Sequence, residues 1–187
     1  MSHRFGLCLL CAALPTAAQV NERLERSEYT VWANAQPTLA QAISAASPIK
    51  IDGKTYHGYT RWRIDWSFTW NPLADGRCQI DQVTTKLYGH ITLPALFLAS
   101  SDQQQRFDTY LKALNQHELG HYAIGQSAAQ RIDQQLAKLP TQPDCTSLER
   151  TANQLGHAIL QDATEQGKRY DQDTEYGKTQ GAYLSAP

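Results

Sequence analysis

The sequence predicts an α+β domain: a twisted antiparallel β-sheet packed against two long α-helices. Three observations predict it. A period-two alternation of apolar and polar residues runs from Tyr56 to Trp70 and resumes from about Arg77 to Leu93. Apolar residues then recur at three- and four-residue steps from about Asp102 to Leu139. A second helical pattern follows from about Ser147 to Arg169. A period of two places alternate side chains on opposite faces of a strand, and a period near 3.6 makes one stripe of a helix apolar. At roughly 150 residues per domain, the 187 residues favour one domain.

The chain opens with MSHRFGLCLLCAALPTAA. Arg4 precedes an apolar run from Phe5 to Leu14, and small residues close the stretch. That order reads as a secretory signal, with cleavage expected after Ala18 and residues 19–187 as the working domain. The apolar run is too short to cross a hydrocarbon core of ~30 Å, so no stable membrane insertion is expected once the signal is removed. Cys11 follows Leu10 rather than a small residue, which speaks against lipid attachment. Two of the four cysteines lie in this segment. The other two, Cys78 and Cys145, are expected to pair in an oxidising compartment, the periplasm or the exterior.

Ser27 to Ala33 reads as a strand, and Pro37 to Ala46 as a short helix starting at a proline. Between Tyr56 and Trp70, one face carries Thr60, Trp62, Ile64, Trp66, Phe68 and Trp70. Such a face could serve as a sugar platform, but packing against helices is the reading adopted. Asn71-Pro72 and Asp75-Gly76 mark a turn, and the strand after it places Val83, Thr85, Leu87, Ile91 and Leu93 on one side. Together the two strands suggest a long hairpin, with Pro94 ending the second. Asp102 is the expected cap of the first long helix, and Pro140 and Pro143 break it. The tail from Tyr170 to Pro187 is polar and contains glycine. Lys and Arg number 17 against 18 Asp and Glu, a formal charge of −1. No cationic surplus is present to neutralise phosphates, so nucleic acid is not an expected partner.

Chemistry concentrates in His117-Glu118-Leu119-Gly120-His121, inside the first long helix. Residues four apart share a helix face, so both imidazoles can reach one metal ion. Both also fall in step with the inward stripe of Phe107, Tyr110, Leu114, Ile124 and Ala128. Zinc is the expected ion, and Glu118 the expected general base for a zinc-activated water. Gly120 is expected to leave room near the metal. A zinc hydrolase needs a third protein ligand and an open fourth position. Residues 122–127 contain no histidine, and the next, His157, points away from the inward stripe of its helix. Asp162 lies within that stripe, where an unpaired carboxylate is costly, and Glu165 lies at its edge. Both are candidate ligands.

The residues Gly58-x-Thr60-x-Trp62, Trp66, Cys78, Leu93-Pro94, the His-Glu-Leu-Gly-His segment, Cys145 and Tyr170-Asp171-x-x-Thr174-x-x-Gly177-x-x-Gln180-Gly181-Ala182 occur in this order. In them the chain resembles a family of secreted bacterial proteins described as a domain of unknown function and as predicted zinc-dependent proteases. The resemblance covers most of the chain after the signal. It implies a zincin-like fold and a periplasmic or secreted location. The family tail reads Tyr-Asp-x-x-Thr-x-His-Gly, and here Tyr176 stands at the histidine position. A ligand supplied by that histidine would be missing here. The resemblance therefore points to Asp171 as third ligand, ahead of Asp162 and Glu165. Tyr176 becomes a candidate hydrogen-bond donor to an oxyanion. A plain structural clamp over the helices is the other reading of the tail.

The expected function is zinc-dependent hydrolysis of peptide bonds in a protein or peptide substrate. His117, His121 and Asp171 would bind zinc, and Glu118 would act as base. Two alternatives stand beside it: an envelope protein whose zinc is purely structural, and an amidase acting on peptidoglycan stem peptides. Substrate specificity and oligomeric state are not legible in the sequence.

Overall fold

A computed structural model describes residues 20–184, so the signal expected at 1–18 lies outside the described residues. In chain order these form β1 (Asn21–Trp32), α1 (Leu39–Ala46), β2 (Lys50–Ile51), β3 (Lys54–Thr55), β4 (Tyr59–Pro72), β5 (Cys78–Phe97), α2 (Ser101–Ala137) and α3 (Cys145–Asp173). A single 3-10 turn, Lys178–Gln180, closes the tail.

β4 and β5 form the expected antiparallel hairpin, and the sheet order is β1-β5-β4. The wholly antiparallel sheet does not hold: β1 runs parallel to β5 from Asn21↔Lys86 to Trp32↔Phe97. Parallel neighbours need a long connection, and α1 with the small β2–β3 hairpin lies between β1 and the β4–β5 pair. Pro94 does not end β5, which continues to Phe97. β4 pairs only as far as Thr92, so beyond that point β5 has β1 as its one neighbour in this sheet. A proline is tolerated where one side of a strand is free. Asn71 and Pro72 belong to the end of β4, and the turn falls at 73–77, with Gly76 at φ 85°.

Both long helices pack on one face of the sheet. Ile64 and Leu87 from the sheet meet Ile132, Leu136 and Ile159 from the helices, and Trp62, Trp66 and Phe68 pack against this cluster. The aromatic face of β4 is therefore core lining, except for exposed Trp70. A second cluster joins α1 and β1 to the start of α2 through Val31, Ile43, Ile91 and Phe107.

α2 starts one residue before the expected cap. Ser100 and Gln103 form a reciprocal capping box, and Asp102 sits in the first turn. α3 is longer at both ends than its apolar pattern, from its N-cap Asp144 through Asp173. Cys78 and Cys145 form a disulfide with Cα atoms 5.0 Å apart. Backbone hydrogen bonds in both directions between Cys78 and Gln142 add to it. The α2–α3 turn is thereby tied to the start of β5.

Candidate metal centre

His117 and His121 lie one turn apart on α2 and face the last turns of α3. Their rings are perpendicular (88°), with centroids 4.9 Å apart. Both Nε2 atoms point at one oxygen: Asp171 Oδ1 is 3.2 Å from His117 Nε2 and 2.9 Å from His121 Nε2. One ligand atom from each residue fits within 4.8 Å of the others. Two imidazole nitrogens and a carboxylate oxygen form a donor set that suits a first-row divalent cation. A tetrahedral ion with bonds near 2.0–2.1 Å has ligands about 3.3 Å apart, close to the two carboxylate contacts. These residues could hold a metal ion.

The helix geometry decides which carboxylate takes part. α2 and α3 run antiparallel, with Arg131 opposite Asp162 and His121 opposite Asp171. Asp162 is nine residues before Asp171, about 13 Å along a helix. It sits in an ion pair with Arg131 (2.6 Å) and accepts from Gln166 (2.8 Å). Asp162 therefore lies level with Arg131 and not with His121. Glu165 is taken up by Lys168 at 2.7 Å. His157 is exposed and meets Trp66 edge-on, with centroids 5.2 Å apart. Asp171 belongs to α3, not to an irregular tail.

Glu118 is buried on the same stretch of α2. The Thr60 hydroxyl lies 2.7 Å from Glu118 Oε2 and 2.9 Å from the Glu118 backbone oxygen. On the other side the carboxylate rests on Gly58, where a Cβ would stand 2.6 Å from Oε1. Burial raises the Glu118 pKa, and Thr60 and the two histidines only partly offset it. For Asp171 the balance is reversed. Burial pushes its carboxyl up, but hydrogen bonds to His117 and His121 carry it down to about 2. Burial works against a charged His117, yet hydrogen bonds to Asp171 and Gln180 leave its pKa raised.

Sequence reasoning gave no role to a further layer of residues. Tyr170 stacks on the His117 ring at 5.0 Å (12°), and its hydroxyl donates to the His117 carbonyl at 3.2 Å. Gln180 Oε1 is 2.9 Å from His117 Nδ1. In the sequence Thr60, Tyr170 and Gln180 were marks of the family resemblance and nothing more, because partners 50 or more residues apart leave no periodic signal. The space beside Gly120, expected to serve the metal, is filled by the Tyr170 hydroxyl. Tyr176 is half exposed, at φ 55°, with its ring 5.9 Å from that of Tyr56.

A cleft of about 790 Å³ opens onto His117, Glu118, His121 and Asp171. Thr60 and Trp62 of β4 line one wall, Thr164 and Gly167 of α3 another, and Tyr176 the rim. Among the described residues no helix is long and apolar enough to cross a membrane. No curated protein and no solved structure matches the chain. The family model described as bacterial protein of unknown function, DUF922, matches residues 26–178. With that stretch of its 187 residues inside the match, the chain belongs to the DUF922 family of bacterial proteins.

Proposed function

We propose that this protein is a secreted or periplasmic zinc metallopeptidase with a zincin-like helix pair. One observation carries the reading: His117, His121 and Asp171 converge on one point, with the buried carboxylate of Glu118 on the same helix and a cleft leading to them. Zinc, when bound, supplies a Lewis acid that polarises a carbonyl and lowers the pKa of water toward ~7. His117, His121 and Asp171 would hold it. Glu118 would take the proton of the attacking water and pass it to the leaving amine. Its raised pKa suits a group that must both accept and donate near neutral pH. Thr60 holds one carboxylate oxygen, so the other is the one left to accept.

A structural zinc site would be closed by four protein ligands. Three donor residues facing a cleft favour the catalytic reading over that alternative. The Cys78–Cys145 disulfide, together with the signal expected from the sequence of residues 1–18, supports an oxidising compartment. The test pairs metal content with hydrolysis. Purified protein is expected to hold one zinc and to cleave a casein-type substrate or a murein stem peptide. Glu118→Gln is expected to keep the zinc and lose at least 100-fold in rate. Protein without stoichiometric zinc, or a Glu118→Gln variant of undiminished activity, refutes the proposal.

A further inference from the structure

The hydrogen bonds behind His117 take their direction from the shortest contacts. The His117 backbone carbonyl accepts and cannot donate. The Tyr170 hydroxyl lies 3.2 Å from that carbonyl and 3.4 Å from Gln180 Oε1, and its proton goes to the nearer carbonyl. Its oxygen is then free to accept, and Gln180 Nε2 lies 3.0 Å from it. With the amide nitrogen turned to Tyr170, Oε1 of Gln180 faces His117 Nδ1 at 2.9 Å. An amide oxygen accepts only, so Nδ1 must carry a proton. The nitrogen left to bind a cation is Nε2, the one that faces Asp171 and His121.

We propose that Gln180 is a positioning residue of the metal centre, fixing His117 in the Nδ1–H form through the chain His117 carbonyl–Tyr170–Gln180. The inference rests on the metal-binding reading above. The surroundings hold the amide in place. Gly177, at φ 82°, lets the tail turn back so closely that a Cβ there would stand 3.0 Å from His117 Cγ. Thr174 lies 3.4 Å from the same Nδ1, a longer and weaker contact. His117 is almost fully buried, so no water substitutes readily for the amide oxygen. Gln180 lies two residues beyond the end of the family match. A partner of this kind sets ring orientation and tautomer, and losing it typically weakens metal binding 10–100-fold.

The test is competition between the full chain and a chromophoric chelator for Zn²⁺, with thermal melts confirming that each variant folds. Gln180→Leu, which has no acceptor, is expected to bind Zn²⁺ about 10–100-fold more weakly. Gln180→Glu keeps an acceptor facing Nδ1 and is expected to stay within about threefold of wild type. Nitrogen–proton spectra of the zinc-loaded protein should show a slowly exchanging His117 Nδ1 proton in wild type and Gln180→Glu, and not in Gln180→Leu. Should Gln180→Leu fail to fold, Tyr170→Phe serves, because it removes the donor that orients the amide and should hasten exchange of the same proton. Unchanged affinity in Gln180→Leu, or Gln180→Glu as weak as Gln180→Leu, overturns the inference. His117→Ala separates the two levels. If it abolishes Zn²⁺ binding while Gln180→Leu does not weaken it, only the role of Gln180 fails. If it leaves binding intact, the metal centre itself fails.

Discussion

Gly120→Ala is a substitution whose sign is set by the tertiary structure against local preference. Alanine is the better helix former by ~1 kcal/mol, and Gly120 lies inside the 37-residue helix α2. On an isolated helix the change would stabilise. Here a Cβ on Gly120 would fall on the hydroxyl oxygen and Cζ of Tyr170, and 2.9 Å from Cε1. The Tyr170 ring is rigid and stacked on His117, so it must swing out as a unit. That motion breaks its hydrogen bonds to the His117 carbonyl and to Gln180, each worth ~1 kcal/mol. Overpacking at such a contact costs about 1–3 kcal/mol. The expected net loss is about 2–4 kcal/mol. For a chain of this size, that lowers Tm by roughly 4–16 °C. Differential scanning calorimetry of the metal-free protein reads the shift directly. A Tm equal to or above that of the parent would show that Tyr170 is not seated beside Gly120 and does not support His117 from behind.

The two candidate carboxylates are separated by paired substitutions. Asp171→Asn is expected to reduce zinc affinity by more than tenfold in a chelator competition, whereas Asp162→Asn leaves it unchanged, because Asp162 is held by Arg131 about 13 Å along the helix. Replacing Cys78 and Cys145 by serine opens a loop with a sequence separation of 67. This is expected to cost about 4 kcal/mol in urea denaturation, with zinc stoichiometry retained; a loss under about 1 kcal/mol would contradict it. In the metal-free protein the Asp171 carboxyl titrates at about 2, below its ordinary value of ~3.9. A depressed carboxylate stabilises the fold above its ordinary value. This contribution is therefore present at neutral pH and is lost as pH falls from about 4 through about 2. Carboxyl-carbon NMR of Asp171 should show that depressed midpoint, and a midpoint near 4 would contradict it.

Much of the architecture was legible because it is written in short periods. The alternation through Trp62, Ile64 and Trp66 named the core face of β4, and that face packs against the helix cluster. The errors lie where a period stops being informative. Pro94 read as a strand end because proline removes a donor, yet the donor is not needed where β4 no longer pairs. The apolar stripe of α3 faded near Arg169, but the helix runs on through Asp173, because its last turn faces polar partners in place of core.

Residue order alone specifies the hairpin, the two long helices, the disulfide partners and the pairing of His117 with His121 on one helical face. All of these follow from residue types and from periods of two and 3.6. The tertiary structure was needed to set β1 parallel to β5, to bring to the histidines Asp171, which the residue pattern without the family resemblance ranked nowhere above Asp162, and to stand Tyr170 and Gln180 behind His117. Those outcomes depend on where helices end and how they dock. Contacts across 50 to 63 residues are set by packing, and no local pattern along the chain encodes them.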